Sequence, residues 1–192
     1  MSMNMRMSMK RVVGIGLALI AGAFAGCSSY KASGGLSDAE QRRQLESRAE
    51  AAVEAFKDAD ASLGAFFDSA SGYAVFPSVA KGGAGIGAAR GRGVLYEEGE
   101  ASGYATLTQG TVGFQLGGKT YRQIIFFKDR ARVAQFKRGD LAFSAQASAT
   151  AATTGAAANA DYEEGVAVFT LAKGGLMAEA SIGGQKFSYT AK

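Results

Sequence analysis

Residues 81–93 read KGGAGIGAARGRG, and the fold turns on whether this is a glycine loop that cradles a phosphate or a length of sheet too crowded for side chains. Gly85-Ile86-Gly87 opens a G-x-G-x-x-G, but Arg90 stands at the last position. A further strand pattern follows where a helix would have to begin for its N-terminus to hold a pyrophosphate. No Gly-Lys-Ser/Thr follows within residues 81–93, so this run is not a Walker loop either. Glycine weakens a strand unless a bend, a bulge or a close backbone approach requires it. The run therefore predicts a strand that bends and packs closely, with Lys81, Arg90 and Arg92 projecting from its ends or edge.

The sequence around it has the same character. From Gly72 onward GYAVFPS, GRGVLYEE, ASGYATLTQG, TVGFQLGG, YRQIIFFK, GVAVFTLAKGG, LMAEASIGG and KFSYT are short, rich in β-branched or aromatic residues, and separated by glycine-containing turns. They predict a strongly curved, glycine-rich antiparallel β-sheet or barrel-like body. Val75-Phe76 and Ala80-Lys81-Gly82-Gly83 are echoed by Val168-Phe169 and Ala172-Lys173-Gly174-Gly175. Two copies are too few for a solenoid, and mark two equivalent corners, each a strand ending in a Lys-Gly-Gly turn. The small-residue segment 144–160, SAQASATAATTGAAANA, reads either as a linker or as strands crossing a tightly curved sheet; the clear strands after it favour the sheet.

Upstream the period changes from two to between three and four. Ser37-Asp38-Ala39-Glu40 has the spacing of a capping box. Leu45, Ala49, Ala52, Val53, Phe56 and Ala59 then recur on one face, with charges on the others. This predicts an amphipathic helix of about five turns. Seven acids between Asp38 and Asp60 against four bases make it net negative. A membrane-surface helix prefers a Lys/Arg-rich polar face, so this one is expected to pack on the domain. A second short helix is expected near 61–69, with Leu63, Phe66 and Phe67 inward. The fold class is α+β.

The start of the chain has the layout of a secretory leader: a basic MSMNMRMSMKR, then a 14-residue apolar run, VVGIGLALIAGAFA. That run is shorter than the roughly 20 residues that span a bilayer. Phe24-Ala25-Gly26-Cys27 resembles a bacterial lipoprotein signal, in which small residues precede a cysteine that receives a diacylglycerol. Cys27 is the only cysteine, and an unpaired thiol in an oxidising compartment is otherwise a liability. The resemblance implies a signal peptide over residues 1–26 and a lipid anchor at Cys27. Ser28 in the next position, where an Asp would signal inner-membrane retention, implies the periplasmic face of the outer membrane. Residues 27–36 then form a polar tether and 37–192 the folded domain. The formal charge of +4 is largely the leader's. The 21 basic residues fall to 18 once Arg6, Lys10 and Arg11 are removed, against 17 acidic ones. A nearly neutral domain offers no global field for nucleic acid, and any membrane affinity must come from a local patch.

Three stretches carry a wider resemblance: SGYAVFPSVAKGGAGIGAARGRGVLY at 71–96, GTVGFQLGGKTYRQIIFFKD at 110–129 and EEGVAVFTLAKGGLMAEASIGG at 163–184. FPSV before a K-x-G-x-G-x-G run, a G-x-x-G-x-Q-x-G repeat, an aromatic strand and a late Lys-Gly-Gly stretch resemble, in combination, the SYLF domain family, also called the yeast actin-binding-protein domain family. The resemblance covers about Leu63 to Tyr189. It implies binding of phosphoinositide-containing membranes or, in yeast, actin filaments, and for bacterial members a secreted or lipid-anchored protein. Actin and phosphoinositides as such do not suit a bacterial envelope.

Chemistry other than binding finds little support. The chain has no histidine, which removes the commonest general base and zinc ligand. No G-x-S-x-G elbow is present, and carboxylates gather on the first helix and in turns such as Glu97-Glu98-Gly99-Glu100. No catalytic, metal or cofactor site is expected. What stands out is residues 119–138: seven bases (Lys119, Arg122, Lys128, Arg130, Arg132, Lys137, Arg138) against the single acid Asp129. Asp129 is placed to cap a short helix, with Val133 and Phe136 inward and Gly139 past its end. Arg130, Lys137 and Arg138 fall within about 100° on that helix. One reading is that these cations complement the helix dipole and keep the protein soluble. The other, favoured by the resemblance, is that Lys81, Arg90, Arg92, Lys119, Arg122, Lys128, Arg130, Lys137 and Arg138 bind anionic lipid head groups. A lipid-binding module and a structural or protein-interaction module of the envelope are the two functional expectations.

Overall fold

The computed structural model describes residues 36–141, 157–172, 175–178 and 184–192. The expected leader, Cys27, all of the tether but Leu36, most of the segment 144–160 and the second Lys-Gly-Gly corner lie outside the described residues. Helix α1 (Asp38–Ala59) opens on the expected capping box: the Ser37 hydroxyl accepts from the Glu40 amide, and the Glu40 carboxylate accepts from the Ser37 amide at 2.8 Å. Leu45, Ala49, Ala52, Val53 and Phe56 are its buried residues. A 3₁₀ turn (Ala61–Leu63) and helix α2 (Gly64–Ser69) follow, burying Leu63 and Phe66.

The segments read as separate strands merge. Strand β1 runs unbroken over Gly72–Glu97 and β2 over Glu100–Phe127. They form one long antiparallel ribbon closed by Glu98 and Gly99, whose φ angles of 54° and 82° suit a two-residue hairpin turn. Lys81-Gly82-Gly83 is thus no corner turn. It lies inside the ladder, with register shifts between Phe76 and Val79 and between Gly83 and Gly85. Glycines let the ribbon bend without breaking its hydrogen bonds, which is why punctuation in the sequence did not become punctuation in the fold. Strand β1 doubles back along itself. A Cβ at Gly93 would stand 2.5 Å from the Val75 carbonyl oxygen and 2.7 Å from the Phe76 ring, and one at Gly91 3.1 Å from the Ser78 carbonyl oxygen. The glycines in the opening stretch make room for backbone, not phosphate.

Along its other edge β2 pairs β3 (Val166–Ala172) through residues 122–127 and β5 (Gln185–Ala191) through 103–109, and β3 pairs β4 (Gly175–Ala178). The sheet is curved but open: its path ends at β1 and β4, so the barrel-like alternative is not realised. Both faces are buried. Val75, Val94, Tyr96, Ile124, Phe126 and Phe169 pack under α1 and α2. Phe76, Leu95, Leu107, Ile125, Phe127, Val168 and Phe187 form a second core with Val133 and Phe136 of helix α3 (Arg130–Arg138). Asp129 caps α3 by accepting from the Arg132 amide at 2.9 Å, and Gly139, at φ 76°, ends it. No described helix is long and apolar enough to cross a membrane.

Candidate anion-binding site

The fold separates the candidate cations into three groups. In α3 each has found an acid. Lys137 Nζ lies 2.5 Å from Glu97 Oε2 and 5.4 Å from the centre of the Tyr189 ring. Arg130 meets Glu98 at 2.8 Å, both largely exposed, and Arg138 meets Asp140 at 2.9 Å. Partial burial pushes the Glu97 carboxyl up, but hydrogen bonds from Lys137 and Ser102 and the charges of Lys137 and Arg130 outweigh it, leaving the group below its ordinary value. Glu97 and Glu98 arrive from the end of β1 and its turn, so the excess counted along residues 119–138 is partly cancelled by residues outside that stretch.

The second group is scattered. Lys81 and Lys119 stand directly opposite each other in the ladder, a like-charge pairing that costs stability unless something anionic lies between. Arg122 and Lys128 are exposed at the two ends of the buried run 123–127.

Arg90 and Arg92 form the third group, and here the structure adds a residue that the sequence did not single out. Strand alternation puts both on the face of β1 that α1 covers, alongside Val94 and Tyr96. Opposite them α1 presents Gln41, Gln44 and Arg48, one stripe at helical spacing. Between the walls is an open cleft of about 550 Å³, lined also by Leu45, Pro77, Ser78, Ala80 and Gly91. Arg92 Nη1 donates to Gln41 Oε1 at 3.3 Å. No carboxylate lines the cleft, and among the described residues none of the three arginines is in an ion pair. In sequence Arg48 was one of four bases on a net-negative helix; the stripe it shares with Gln41 and Gln44, flanking buried Leu45, was the only signal available.

Arg92 also lines a smaller neighbouring cavity of about 130 Å³ with Arg42, Tyr104, Thr106, Ser188 and Thr190. The Arg42 guanidinium sits 4.9 Å from the centre of the Tyr104 ring. The Tyr104 hydroxyl donates to Glu46 Oε1 at 2.5 Å, and Lys192 Nζ is 2.9 Å from the same oxygen. These bonds, Tyr104's first and Lys192's second, hold the Glu46 carboxyl below its ordinary value. The one acid near this cavity is thus already engaged by neighbours.

Groups suited to covalent chemistry do not converge on either cavity. Asp60, the only buried acid among the described residues, accepts from the Ser62 amide at 2.9 Å and the Ala157 amide at 3.0 Å, tying the end of α1 to a distant 3₁₀ turn (Ala157–Asn159). Tyr96 is 6% exposed and its hydroxyl has no hydrogen-bond partner. Burial, with smaller contributions from Glu50, Tyr73 and Glu46, drives its pKa far up, so it remains a neutral phenol stacked on Tyr73. Among the described residues no group of His, Cys, Asp and Glu is arranged to hold a metal ion.

Residues 108–191 match a family model described as "Ysc84: Las17-binding protein actin regulator". Over that segment, less than half of its length, the chain is similar to the Ysc84 (SYLF) family. Beta cell expansion factor A of Aeromonas veronii is 28% identical over 155 residues, covering 77% of this chain and 57% of the relative. The chain thus spans little more than half of that relative's length. SYLF domains are a family of binding domains. The matched segment contains α3 and its paired cations, whereas Arg48, Arg90 and Arg92 all precede residue 108. The cleft belongs to this chain's own α1 and β1.

Proposed function

We propose that this protein is a lipid-anchored, SYLF-type module of the bacterial envelope that holds anionic, phosphate-bearing lipid head groups at the periplasmic face of the outer membrane. Cys27 supplies the anchor and the cations without acid partners supply the recognition. One observation carries the reading: Arg48, Arg90 and Arg92 converge on a cleft that no carboxylate lines. Arginines that line one cleft without counter-charge repel one another, and an anion in the cleft relieves that repulsion while using their paired donors. Lys81 and Lys119 add a second such position on the ribbon. The partners named in the family's description, Las17 and actin, are not part of this proposal.

Vesicle flotation tests it. A chain starting at Ser28, which keeps the whole compact unit Leu36–Lys192, is expected to float with phosphatidylglycerol-containing vesicles and not with phosphatidylcholine alone. Binding through several charges should weaken steeply with salt. Equal flotation with both vesicle types, or with and without salt, would instead favour an envelope spacer that contacts protein. The anchor is tested separately by intact mass of the membrane-extracted protein, expected to begin at a lipid-modified Cys27.

A further inference from the structure

We propose that the cleft between α1 and β1 is a site for the dianion of a phosphate monoester, whose phosphate sits among Arg48, Arg90 and Arg92 while its organic part lies on Leu45. This rests on the reading of the cleft as anionic-ligand binding and narrows it. A membrane made anionic by phosphodiesters presents one charge per head group, for which two or three dispersed lysines suffice. Here three guanidiniums, from two elements, line one cleft of about 550 Å³. A tetrahedral group with three free oxygens and close to two charges can occupy several planar forks at once, and a diester has too few free oxygens to do so. Gln44 supplies an uncharged donor on the same wall, where Gln41 is tied to Arg92 and to the Leu36 carbonyl. The buried Leu45 gives the cleft an apolar part, suited to an ester group and not to a bare, fully hydrated ion.

The absence of titrating groups gives the proposal a distinctive signature. The chain contains no histidine, and arginine stays charged at any physiological pH. Of the acids nearest in sequence, Glu40 is engaged by the Ser37 cap and Glu46 by Tyr104 and Lys192, and the exposed Glu50 does not line the cleft. Nothing facing the ligand from α1 or β1 changes charge near neutrality. A phosphate monoester does, losing its second proton near pH 6. Affinity should therefore rise between about pH 5 and about pH 8 because of the ligand alone. Sulfate, doubly charged throughout that range, should show no slope.

The test takes the full chain in zwitterionic micelles and titrates inorganic phosphate and sulfate by calorimetry across that range. A second arm dopes the micelles with phosphatidic acid, a monoester, or phosphatidylglycerol, a diester, at matched surface charge. Expected are a severalfold rise in phosphate affinity with pH, a flat sulfate response, and preference for phosphatidic acid. Arg48→Gln and Arg90→Gln, both at exposed positions, should each lower phosphate affinity about fivefold. If lipid is preferred while free phosphate binds only weakly, the source is a head group; if free phosphate is bound as tightly, it is a soluble ester. A flat phosphate profile, or isotherms unchanged by both substitutions, overturns the assignment. If phosphatidylglycerol is still taken up in that case, the anionic-surface reading survives without it. If neither lipid is taken up but free phosphate binds with the pH slope, the surface reading falls and the monoester site stands.

Discussion

Helix α3 and the wall of β1 that faces α1 each carry closely spaced cations, and the fold treats them in opposite ways. Lys137, Arg130 and Arg138 meet Glu97, Glu98 and Asp140. Arg90 and Arg92 share a cleft with a third arginine, Arg48, and with no acid. Read along the chain, α3 sits in the most basic stretch and Arg48 lies in an acidic one. Net charge per segment is a property of neighbours in sequence, whereas an anion senses neighbours in space. The comparison teaches that a basic run can be spent on the protein's own carboxylates, while a binding site can be assembled from single cations contributed by elements that look unremarkable.

The comparison is broken most severely by removing what holds α1 in place. Phe56 is fully buried on the inward face of α1, in the core shared with Val75 and Phe126. Phe56→Ala should lower the free energy of unfolding by about 3–5 kcal/mol, measured by denaturant titration of the chain from Ser28. A change below about 1 kcal/mol would mean that α1 is not packed on the sheet, and that the cleft has only one wall.

Next in size is the difference between the two cationic regions themselves. Removing three guanidiniums at about 1 kcal/mol each, as Arg48→Gln with Arg90→Gln and Arg92→Gln, should cost about a hundredfold in partitioning to anionic vesicles. Reversing Lys137 and Arg138 to Glu should cost markedly less, because both cations are already committed to acids; that variant should lose stability instead. A larger flotation loss from the α3 variant, with folding intact, would invert the comparison and return the site to the basic segment.

A third variant acts on the bend that brings the two halves of β1 together. Gly93→Ala places a methyl against the Val75 carbonyl and the Phe76 ring. Because one of those atoms is backbone, the clash cannot be relieved by a rotamer change, and a loss of about 1–3 kcal/mol is expected in thermal or denaturant unfolding. A neutral result would show that the halves of β1 do not touch there.

These elements were legible in the sequence to different degrees, for physical reasons. The start of α1 and both ends of α3 were readable to the residue because their signals are local: Ser37 with Glu40, Asp129 and Gly139. The apolar spacing of α1 gave the buried set Leu45, Ala49, Ala52, Val53 and Phe56, with Ala59 only half-buried. The turn at Glu98-Gly99 was readable for the same reason. The strands were not, because a glycine permits a turn without requiring one, and whether Gly82 and Gly83 end a strand or bend it depends on a partner, Gly118 and Gly117, thirty-odd residues away. YRQIIFFK lacks alternation because Ile124 and Phe126 face α1 and α2 while Ile125 and Phe127 face α3. Arg90 and Arg92 were singled out for their place in the glycine run; Arg48 could be found only once α1 had been laid across that run.

The smallest expected effect concerns Lys137 and Glu97, and it tests whether α3's cations are spent as the comparison requires. The pair is short, 2.5 Å, and both side chains are about two-thirds buried. Pairs of this kind are commonly worth about 0–1 kcal/mol after solvent screening, so Lys137→Met should change stability at neutral pH by no more than that. The pH dependence says more than the magnitude. Despite the opposing effect of burial, Glu97 has its folded pKa lowered. Its contribution to stability is thus complete above the unfolded carboxylate value, about 4.3, and is lost as pH falls through the lower, folded value. In Lys137→Met the main partner that lowers the folded pKa is gone, Ser102 and Arg130 remain, and burial still raises it. The wild-type and variant stability curves should therefore stand apart near neutrality and converge in acid, below both values. Curves separated by a constant amount across that window would mean that Lys137 acts through its packing on Tyr189 and not through Glu97. The cation would then be free to face a lipid, and α3 would regain the role that its sequence suggested.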